Sequence, residues 1–248
     1  MGFRGTLTKD NLGFSIPSDG PLYPGPPYLY QDATMMIFEF ETDGESAARL
    51  LPAQAELPDP AHAGLVFASY PSSNLGPYQE AVLFLKDVQY EGRTVKYATH
   101  LYVTTDIAMA AGRELAGFPK KIAAIDVHQE GDDYSATLER PAGVRLASGS
   151  LTLGPVLAEG VTETLNYLTL RVLPSPTKGA PPSLAELIET DWVIRNAKVW
   201  SATGECRLTG ASAQDPLQIV PIVTPLGCTV IRGDLMVALN HTPRIRPL

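Results

Sequence analysis

The segment at residues 112–121 reads Gly-Arg-Glu-Leu-Ala-Gly-Phe-Pro-Lys-Lys, and it marks the point where a helical stretch gives way to a β-rich one. Apolar residues within 105–115 recur at helical spacing, which predicts a short helix there. Gly117 and Pro119 end this helix, because glycine suits a helix C-terminus and proline cannot continue it. The sequence therefore places the lysine pair at 120–121 directly after a helix terminus.

The rest of the chain reads mainly as β-strands separated by turns. Strands are predicted over residues 34–42, 65–70, 80–88, 95–104, 122–129, 134–140, 144–153, 166–173, 191–201 and 217–223. A second short helix is predicted over residues 43–51, and Glu91-Gly92-Arg93 is typical of a hairpin turn. Many strands with few helices predict an α+β fold that is mostly antiparallel β, with a curved or barrel-like sheet.

The domain organisation is expected to be simple. A β-rich chain of 248 residues often forms one domain, so we expect a single domain over residues 1–248. Five prolines within residues 1–30 preclude a regular helix and predict an extended N-terminal arm that clasps a neighbouring subunit. The proline-rich stretch 174–182 predicts a surface loop or an active-site flap.

Composition excludes several classes of function. The net charge of -8 argues against a nucleic-acid partner. No apolar run reaches the roughly 18 residues of a membrane span, and residues 1–10 lack a signal-peptide core, so a cytoplasmic protein without a membrane partner is expected. Scattered histidines, two cysteines expected to be reduced thiols and the lack of a nucleotide-binding motif predict neither a metal nor a cofactor. Trp192 and Trp200, eight residues apart, are expected to pack on one strand face.

The lysine pair is the strongest chemical signal. A second cation or apolar neighbours lower the pKa of a lysine, and the neutral amine can then form a Schiff base with a ketone. Strand alternation would send one lysine inward and the other outward, and local chemistry does not select which one reacts. A solvated lysine pair after a helix is the alternative interpretation.

The segment 112–121 resembles the catalytic segment of the acetoacetate decarboxylase superfamily, Gly-Arg-Glu-Leu-x-x-(Phe/Tyr)-Pro-Lys-Lys, and that family is itself the usual example of a lysine activated by a neighbouring cation. Weaker similarities occur at residues 21–28, 75–80, 166–174 and 215–217 and in the apolar run 219–239. The chain is identified as a member on this basis. The resemblance implies the family's β-barrel-like fold, a lyase that works through a Schiff base without a cofactor, and a homo-oligomer.

The resemblance also assigns roles to individual residues. It makes Lys120 the Schiff-base lysine and Lys121 the neighbour that lowers its pKa. Glu80 falls on an active-site glutamate and would act as a general acid and base. Tyr102 and Phe118 fall on aromatic positions and would line the substrate pocket.

Two positions depart from the family pattern. In a match without gaps, Ala33 replaces the arginine of the decarboxylases and Leu65 replaces a second glutamate. Arginine is the natural clamp for a carboxylate, and leucine in place of the glutamate would make that part of the cavity more apolar, which suits a bulkier aldehyde or aryl group better than a free carboxylate. Both changes favour aldolase or dehydratase chemistry on a pyruvate-like oxo acid, with an aldehyde as second substrate. Decarboxylation of acetoacetate or another 3-oxo acid is the alternative, and a non-catalytic binding or assembly protein is the third.

The adjacent Arg113 and Glu114 are further candidates for substrate binding. An arginine here could replace the missing clamp. An adjacent charged pair at a helix end more often forms structural ion pairs or subunit contacts, and both interpretations stay open.

Overall fold

Long strands dominate the computed structural model, which describes residues 2–210, 212–238 and 244–248. The strands are β1 (Tyr28–Glu41), β2 (Ala55–Glu56), β3 (His62–Tyr70), β4 (Ser72–Ser73), β5 (Tyr78–Tyr90), β6 (Arg93–Val103), β7 (Lys120–Ile122), β8 (Ala124–Glu130), β9 (Asp133–Glu139), β10 (Arg145–Leu173), β11 (Leu184–Leu208), β12 (Thr224–Ala238) and β13 (Arg244–Pro247). The helices are α1 (Gly44–Ala48) and α2 (Asp106–Ala116), and Leu217–Ile219 forms a 3-10 turn.

The strands form one curved mixed sheet. Its order is β13-β11-β12-β1-β3-β5-β6-β10-β9-β8, with β2 on β5, β4 on β1 and β7 on β6. Because β11 also pairs with β10, the sheet closes on itself through that hairpin. The pairings are antiparallel except for those of β6 with β7 and with β10. The predicted fold class, mostly antiparallel β with a curved sheet and few short helices, is confirmed.

Strand alternation divides the buried side chains into two clusters. One lies on what we call the lysine face, defined by Tyr70, Tyr78, Val82 and Phe118. The other lies on the opposite face, defined by Phe38, Phe67, Leu83 and Tyr102. Successive residues of β5 therefore contribute alternately to the two clusters, as the period of two requires. The sheet thus carries apolar packing on both of its faces.

Most predicted elements occur close to their expected positions, and the exceptions have local causes. The strand predicted over 217–223 is wrong, because Pro216 and Pro221 cannot donate ladder hydrogen bonds and β12 begins only at Thr224. The strands predicted over 144–153 and 166–173 are parts of the single strand β10. Four register shifts between residues 153 and 163 keep it paired through a stretch rich in glycine and proline.

The two tryptophans of β11 do not share a face. Trp192 packs in the cluster of the lysine face, whereas Trp200 packs against the opposite one. An irregularity between Arg195 and Lys198, with Asn196 at φ 52°, inserts an extra residue and reverses the alternation. The prediction of a shared face is therefore wrong.

The arm and the loop lie outside regular structure. Residues 2–27 contain neither helix nor strand, and several of their apolar side chains are exposed, including Phe3 and Ile16. The expectation that the arm packs on another subunit stays a prediction. Residues 174–183 form the exposed connection between β10 and β11. None of the helices in the described ranges has the length and apolar character needed to cross a membrane.

Candidate active site

Helix α2 and the turn after it present Lys120. Thr105 caps the start of the helix by accepting a hydrogen bond from the backbone N–H of Ala108. Gly117 ends it at φ 68°, where a Cβ atom would lie 2.7 Å from the backbone nitrogen of Arg171. Strand β7 then pairs in parallel with β6, which places Lys120 opposite Leu101 in the register. The chain thus leaves the helix in an orientation that sends Lys120 to the lysine face.

A buried ion pair forms the centre of the site. The Nζ atom of Lys120 lies 2.9 Å from Oε2 of Glu80, and the two residues are 4% and 0% exposed. Oε1 of Glu80 accepts a hydrogen bond of 3.2 Å from the Tyr70 hydroxyl. Burying two charges together is favourable only when each finds partners, and these contacts supply them. The sequence-predicted pair of Lys120 and Glu80 is therefore brought together across strands β5 and β7.

Aromatic rings surround the ammonium group. It lies 5.7 Å from the ring centroid of Tyr78 and 5.9 Å from that of Phe118, which the resemblance had placed near the lysine. The Tyr78 hydroxyl donates to that of Tyr30 at 3.1 Å. Burial raises the pKa of Tyr70 and Tyr78 well above the ordinary value, and the charge of Glu80 adds to this. Both hydroxyls therefore stay protonated and available as donors.

Gly112 creates the space that the Lys120 side chain occupies. A Cβ atom at Gly112 would lie 2.5 Å from Cδ and 2.6 Å from Cε of Lys120. Glycine weakens a helix interior, so its presence in the middle of α2 needs a packing reason, and the crossing lysine is that reason. The sequence did not predict this packing role of Gly112, although a glycine inside a helical pattern was a visible signal.

Two cavities flank the ion pair, and each is lined by one of its two members. The larger one, of about 270 Å³, is lined by Glu80, Tyr70 and a set of mainly apolar side chains. The smaller one, of about 20 Å³, is lined by Lys120, Phe118 and Gly112 among others. Trp192 lines both cavities and is 7% exposed, and its Nε1–H has no hydrogen-bond acceptor among the described residues. A buried indole N–H without a protein partner is available to a ligand.

Lys121 lies on the opposite face with a different set of partners. Its Nζ atom lies 2.9 Å from Oδ1 of Asp215 and donates to the Gln214 carbonyl. The Tyr102 hydroxyl donates to the same carboxylate at 3.0 Å, and Nε of Arg140 lies 3.3 Å from it. Burial opposes ionisation of Asp215, but the hydrogen bonds from Lys121 and Tyr102 and the two cationic charges outweigh it and hold the pKa of this carboxyl below its ordinary value.

This geometry separates two predicted site residues from Lys120. Tyr102 was expected in the substrate pocket, but in the parallel register it pairs with Lys121, and its side chain belongs to the opposite face. The reason is the period of two along β6 and β7. The position of Tyr102 gives its expected role in substrate binding no support. The expected effect of Lys121 on the pKa of Lys120 stays a prediction.

Arg113 and Glu114 make contacts that favour their structural interpretation. Both are exposed, and Nη1 of Arg113 donates to the backbone carbonyl of Lys120 at 3.2 Å. Glu114 accepts a hydrogen bond from the Tyr23 hydroxyl, which anchors the N-terminal arm to helix α2. A role for either residue in binding substrate stays a prediction.

The two departures from the family pattern fall on different faces. Ala33 is fully buried in the cluster of the lysine face, just after a register shift in β1. Leu65 packs in the opposite cluster, so the expectation that it makes the cavity more apolar is wrong. Its neighbour Val66 lines the cavity instead, because a shift of one residue moves a side chain to the other face.

Other site residues were missed for a similar reason. Tyr78 and Glu80 are two apart, so the alternation of β5 could have placed them together. Tyr70, Trp192 and Asp215 approach the lysines only through the pairing of distant strands and loops. Such contacts leave no local signal in the sequence.

Comparisons with known proteins identify the family and the fold. The family model described as "Acetoacetate decarboxylase (ADC)" matches residues 16–244. The decarboxylase DEC1 of Cochliobolus heterostrophus is 27% identical over 241 residues, covering 94% of this chain and 95% of that protein. The crystal structure of acetoacetate decarboxylase from Legionella pneumophila has a TM-score of 0.81 at 20% identity, covering 99% of this chain and 98% of that one. The enduracididine biosynthesis enzyme MppR, in complex with the condensation product of pyruvate and imidazole 4-carboxaldehyde, has a TM-score of 0.78 at 17% identity, covering 98% of each chain.

The family match extends over most of the described residues, from the N-terminal arm to β13, and it includes Lys120 and Glu80. The resemblance of residues 112–121 to the superfamily is therefore confirmed. The chain belongs to the acetoacetate decarboxylase family, a family of lyase-type enzymes.

Proposed function

We propose that this protein is a lyase in which Lys120 forms a Schiff base with the ketone of a 3-oxo acid, and in which the resulting iminium drives the loss of carbon dioxide. The observation that supports this most directly is the buried pair of Lys120 and Glu80, 2.9 Å apart beside an apolar cavity. An amine beside a proton acceptor in such surroundings suits nucleophilic attack on a carbonyl carbon.

The first stage forms the iminium. Lys120 passes a proton to Glu80, and the neutral amine attacks the ketone carbon of the substrate. A proton moves from nitrogen to oxygen to give the carbinolamine. Glu80 then returns its proton to the departing hydroxyl, water leaves, and the iminium forms with Glu80 ionised. The hydrogen bond from Tyr70 keeps the carboxylate oriented during these transfers.

The second stage breaks the carbon–carbon bond. The electron pair of the bond to the carboxylate moves toward the iminium nitrogen, carbon dioxide leaves, and a neutral enamine remains. Glu80 takes up from the solvent the one proton that the net reaction consumes and delivers it to the enamine carbon. Hydrolysis of the new iminium releases the shortened ketone and restores Lys120. The net reaction consumes one proton and one oxo-acid anion for each ketone and carbon dioxide produced.

Trp192 is the group that we propose to orient the substrate carboxylate. Ala33 offers no charge, and the buried indole N–H of Trp192 lacks an acceptor among the described residues. A single neutral donor holds a carboxylate without stabilising it as strongly as an arginine would. Decarboxylation moves negative charge away from the substrate carboxylate, so a site that stabilises this carboxylate only weakly in the bound substrate does not raise the barrier much.

Aldol-type condensation is the second candidate. It is supported by MppR, which has the same fold: the structure of MppR with pyruvate matches this chain at a TM-score of 0.77. MppR is also known in complex with a condensation product of pyruvate. In this chemistry, the Lys120 iminium of pyruvate would lose a proton to Glu80 and add as an enamine to an aldehyde. We rank it second because one of the two reasons for preferring it, the replacement of a site glutamate at Leu65, concerns a residue on the opposite face.

Borohydride trapping tests the proposal. The protein is treated with borohydride in the presence of acetoacetate, a longer 3-oxo acid or pyruvate, and the intact mass and the modified peptide are determined. We expect a reduced adduct on Lys120, none in Lys120→Met, and an adduct in the matched variant Lys121→Met, whose side chain lies on the other face. Measuring carbon dioxide release from the 3-oxo acids then tells whether decarboxylation, rather than aldol-type condensation, is the reaction. Failure to trap any adduct, or an adduct on Lys121 alone, would refute the proposal.

A further inference from the structure

Resting on the proposed function, we infer that the substrate carries an apolar tail on the order of six carbon atoms, which runs through the larger cavity from Glu80 toward Lys96. The natural substrate is then a medium-chain 3-oxo acid and not acetoacetate, whose ketone bears only a methyl group.

The register of the central strands orders the cavity wall into three levels. Met35 of β1, Ala68 of β3 and Glu80 of β5 are neighbours at the first level, and Ile37, Val66 and Val82 at the second. Glu39, Gly64 and Phe84 form the third. Four residues separate the first level from the third along each strand, which corresponds to about 13 Å. The cavity therefore has a reacting end and a distant end.

The wall between these ends is mainly apolar, with Thr229 as a polar member at the second level. Side chains from β1, β3, β5, β10, β11 and β12 line it: Met35, Ile37, Val66, Val82, Leu165, Ile194, Ile231 and Leu235. The volume of about 270 Å³ equals about nine water-sized groups of ~30 Å³ each. It also approaches the lower end of the range of roughly 300–1,000 Å³ that is typical of small-molecule sites. After the reacting head group is placed beside Glu80, room for several methylene groups remains.

Charged groups mark the distant end. Lys96 lies with its Nζ atom 5.4 Å from the ring centroid of Phe84, and Glu39 and Glu163 also line the cavity there. Lys96 is half-buried, and this burial lowers the pKa of its ammonium group. Glu39 is paired with Lys86 at 2.7 Å. A tail that passes this level leaves apolar surroundings, so the gain from each added carbon should stop here.

The expected effect follows from the burial of methylene groups. Each one transferred from water to an apolar wall favours binding enough to raise kcat/KM by about fourfold. The rise appears in kcat/KM because the tail is buried in the transition state as well as in the bound substrate. A series of straight-chain 3-oxo acids should therefore show a steep increase that levels off when the tail reaches Lys96.

The experiment measures carbon dioxide release and the rate of Lys120 adduct formation for acetoacetate, 3-oxohexanoate, 3-oxooctanoate and 3-oxodecanoate. Val82→Phe places a ring at the second level of the wall, and Ile37→Phe, at a half-buried position of the same level, serves if the first variant does not fold. The matched control is Val144→Phe, because Val144 is 47% exposed and lies outside the cavity lining. We expect the rise with chain length in the wild type and the control, and its loss in the cavity variants.

The outcomes separate the two proposals. Equal kcat/KM for all four acids with an adduct on Lys120 would overturn the tail inference and leave the proposed function standing. A rise with chain length that persists in both cavity variants would also overturn it, since the tail would lie elsewhere. Failure of every acid to form an adduct would overturn the proposed function itself.

Discussion

The replacement Gly112→Ala tests whether the position of Lys120 depends on the one point of helix α2 that lacks a side chain. The new Cβ atom would lie 2.5 Å from Cδ and 2.6 Å from Cε of Lys120. Carbon atoms pack at about 3.5–4.0 Å, so the lysine must move by about 1 Å or more. The helix backbone cannot retreat as easily, because α2 packs through Ala108 and Ala111, both fully buried.

The magnitudes for stability and activity differ. Alanine is favoured over glycine in a helix interior by about 1 kcal/mol, and overpacking costs about 1–3 kcal/mol, so we expect a net loss of stability of about 0–2 kcal/mol. A displacement of about 1 Å in a reacting group can reduce the rate on the order of a hundredfold, which corresponds to about 2.7 kcal/mol of barrier. Activity should therefore fall much more than stability.

The assay follows the rate of borohydride-trapped Lys120 adduct and kcat/KM for carbon dioxide release, with thermal unfolding measured on the same samples. The control is Gly20→Ala, because in the described parts of the chain no atom lies within 4 Å of a Cβ position added at Gly20. If Gly112→Ala forms the adduct at more than about half the wild-type rate while it folds normally, the inferred packing of Lys120 against the helix is wrong.

Three further predictions follow from the site and its supports. Trp192→Phe removes the indole N–H, which has no acceptor among the described residues. We expect kcat/KM to fall about tenfold with little change in Tm, as for the loss of about one hydrogen bond to a charged group. Asp215→Asn weakens the network around Lys121, so thermal unfolding should show a loss of about 3 kcal/mol, with the Lys120 adduct still formed. Burial, with the charge of Lys121 nearby, lowers the pKa of His100 to about 4 from an ordinary 6.5. Because the folded state favours neutral His100, this contribution to stability is complete above pH 6.5. About 2–3 kcal/mol of the free energy of unfolding should be lost as the pH falls from 6.5 to 4. His100→Gln should flatten this part of the profile of stability against pH.

Local patterns were enough to predict much of the architecture. Alternating residues located most strands, and the helical spacing of apolar residues with Gly117 and Pro119 at the end located helix α2 to within about one residue. The adjacent lysines signalled the chemistry, and alternation correctly required them to lie on opposite faces. The identity of the inward lysine came from the family resemblance alone.

Strand register was the part that local patterns could not supply. The parallel pairing of β6 with β7 places Tyr102 beside Lys121 rather than Lys120, and no local pattern encodes that register. The bulge near Asn196 reverses the faces of Trp192 and Trp200 for the same reason. An offset of one residue likewise put Leu65, rather than Val66, in the expected cavity.

The positions of the two lysines change the physical explanation that their adjacency suggested. Adjacent cations in a sequence suggest mutual repulsion, but here Asp215 pairs with Lys121 on the opposite face, and this pairing offsets its charge. Lys120 instead lies at 4% exposure among aromatic rings, 2.9 Å from a carboxylate that can take its proton. Burial and the Glu80 acceptor are therefore the two features on which the proposed proton transfer rests. We propose that Lys121, through its pairing with Asp215, helps to hold strand β7 in place. On this view, removing the charge of Lys121 should lower the stability of the protein more than it lowers the rate of adduct formation on Lys120. The Lys121→Met control tests this when both quantities are measured on it.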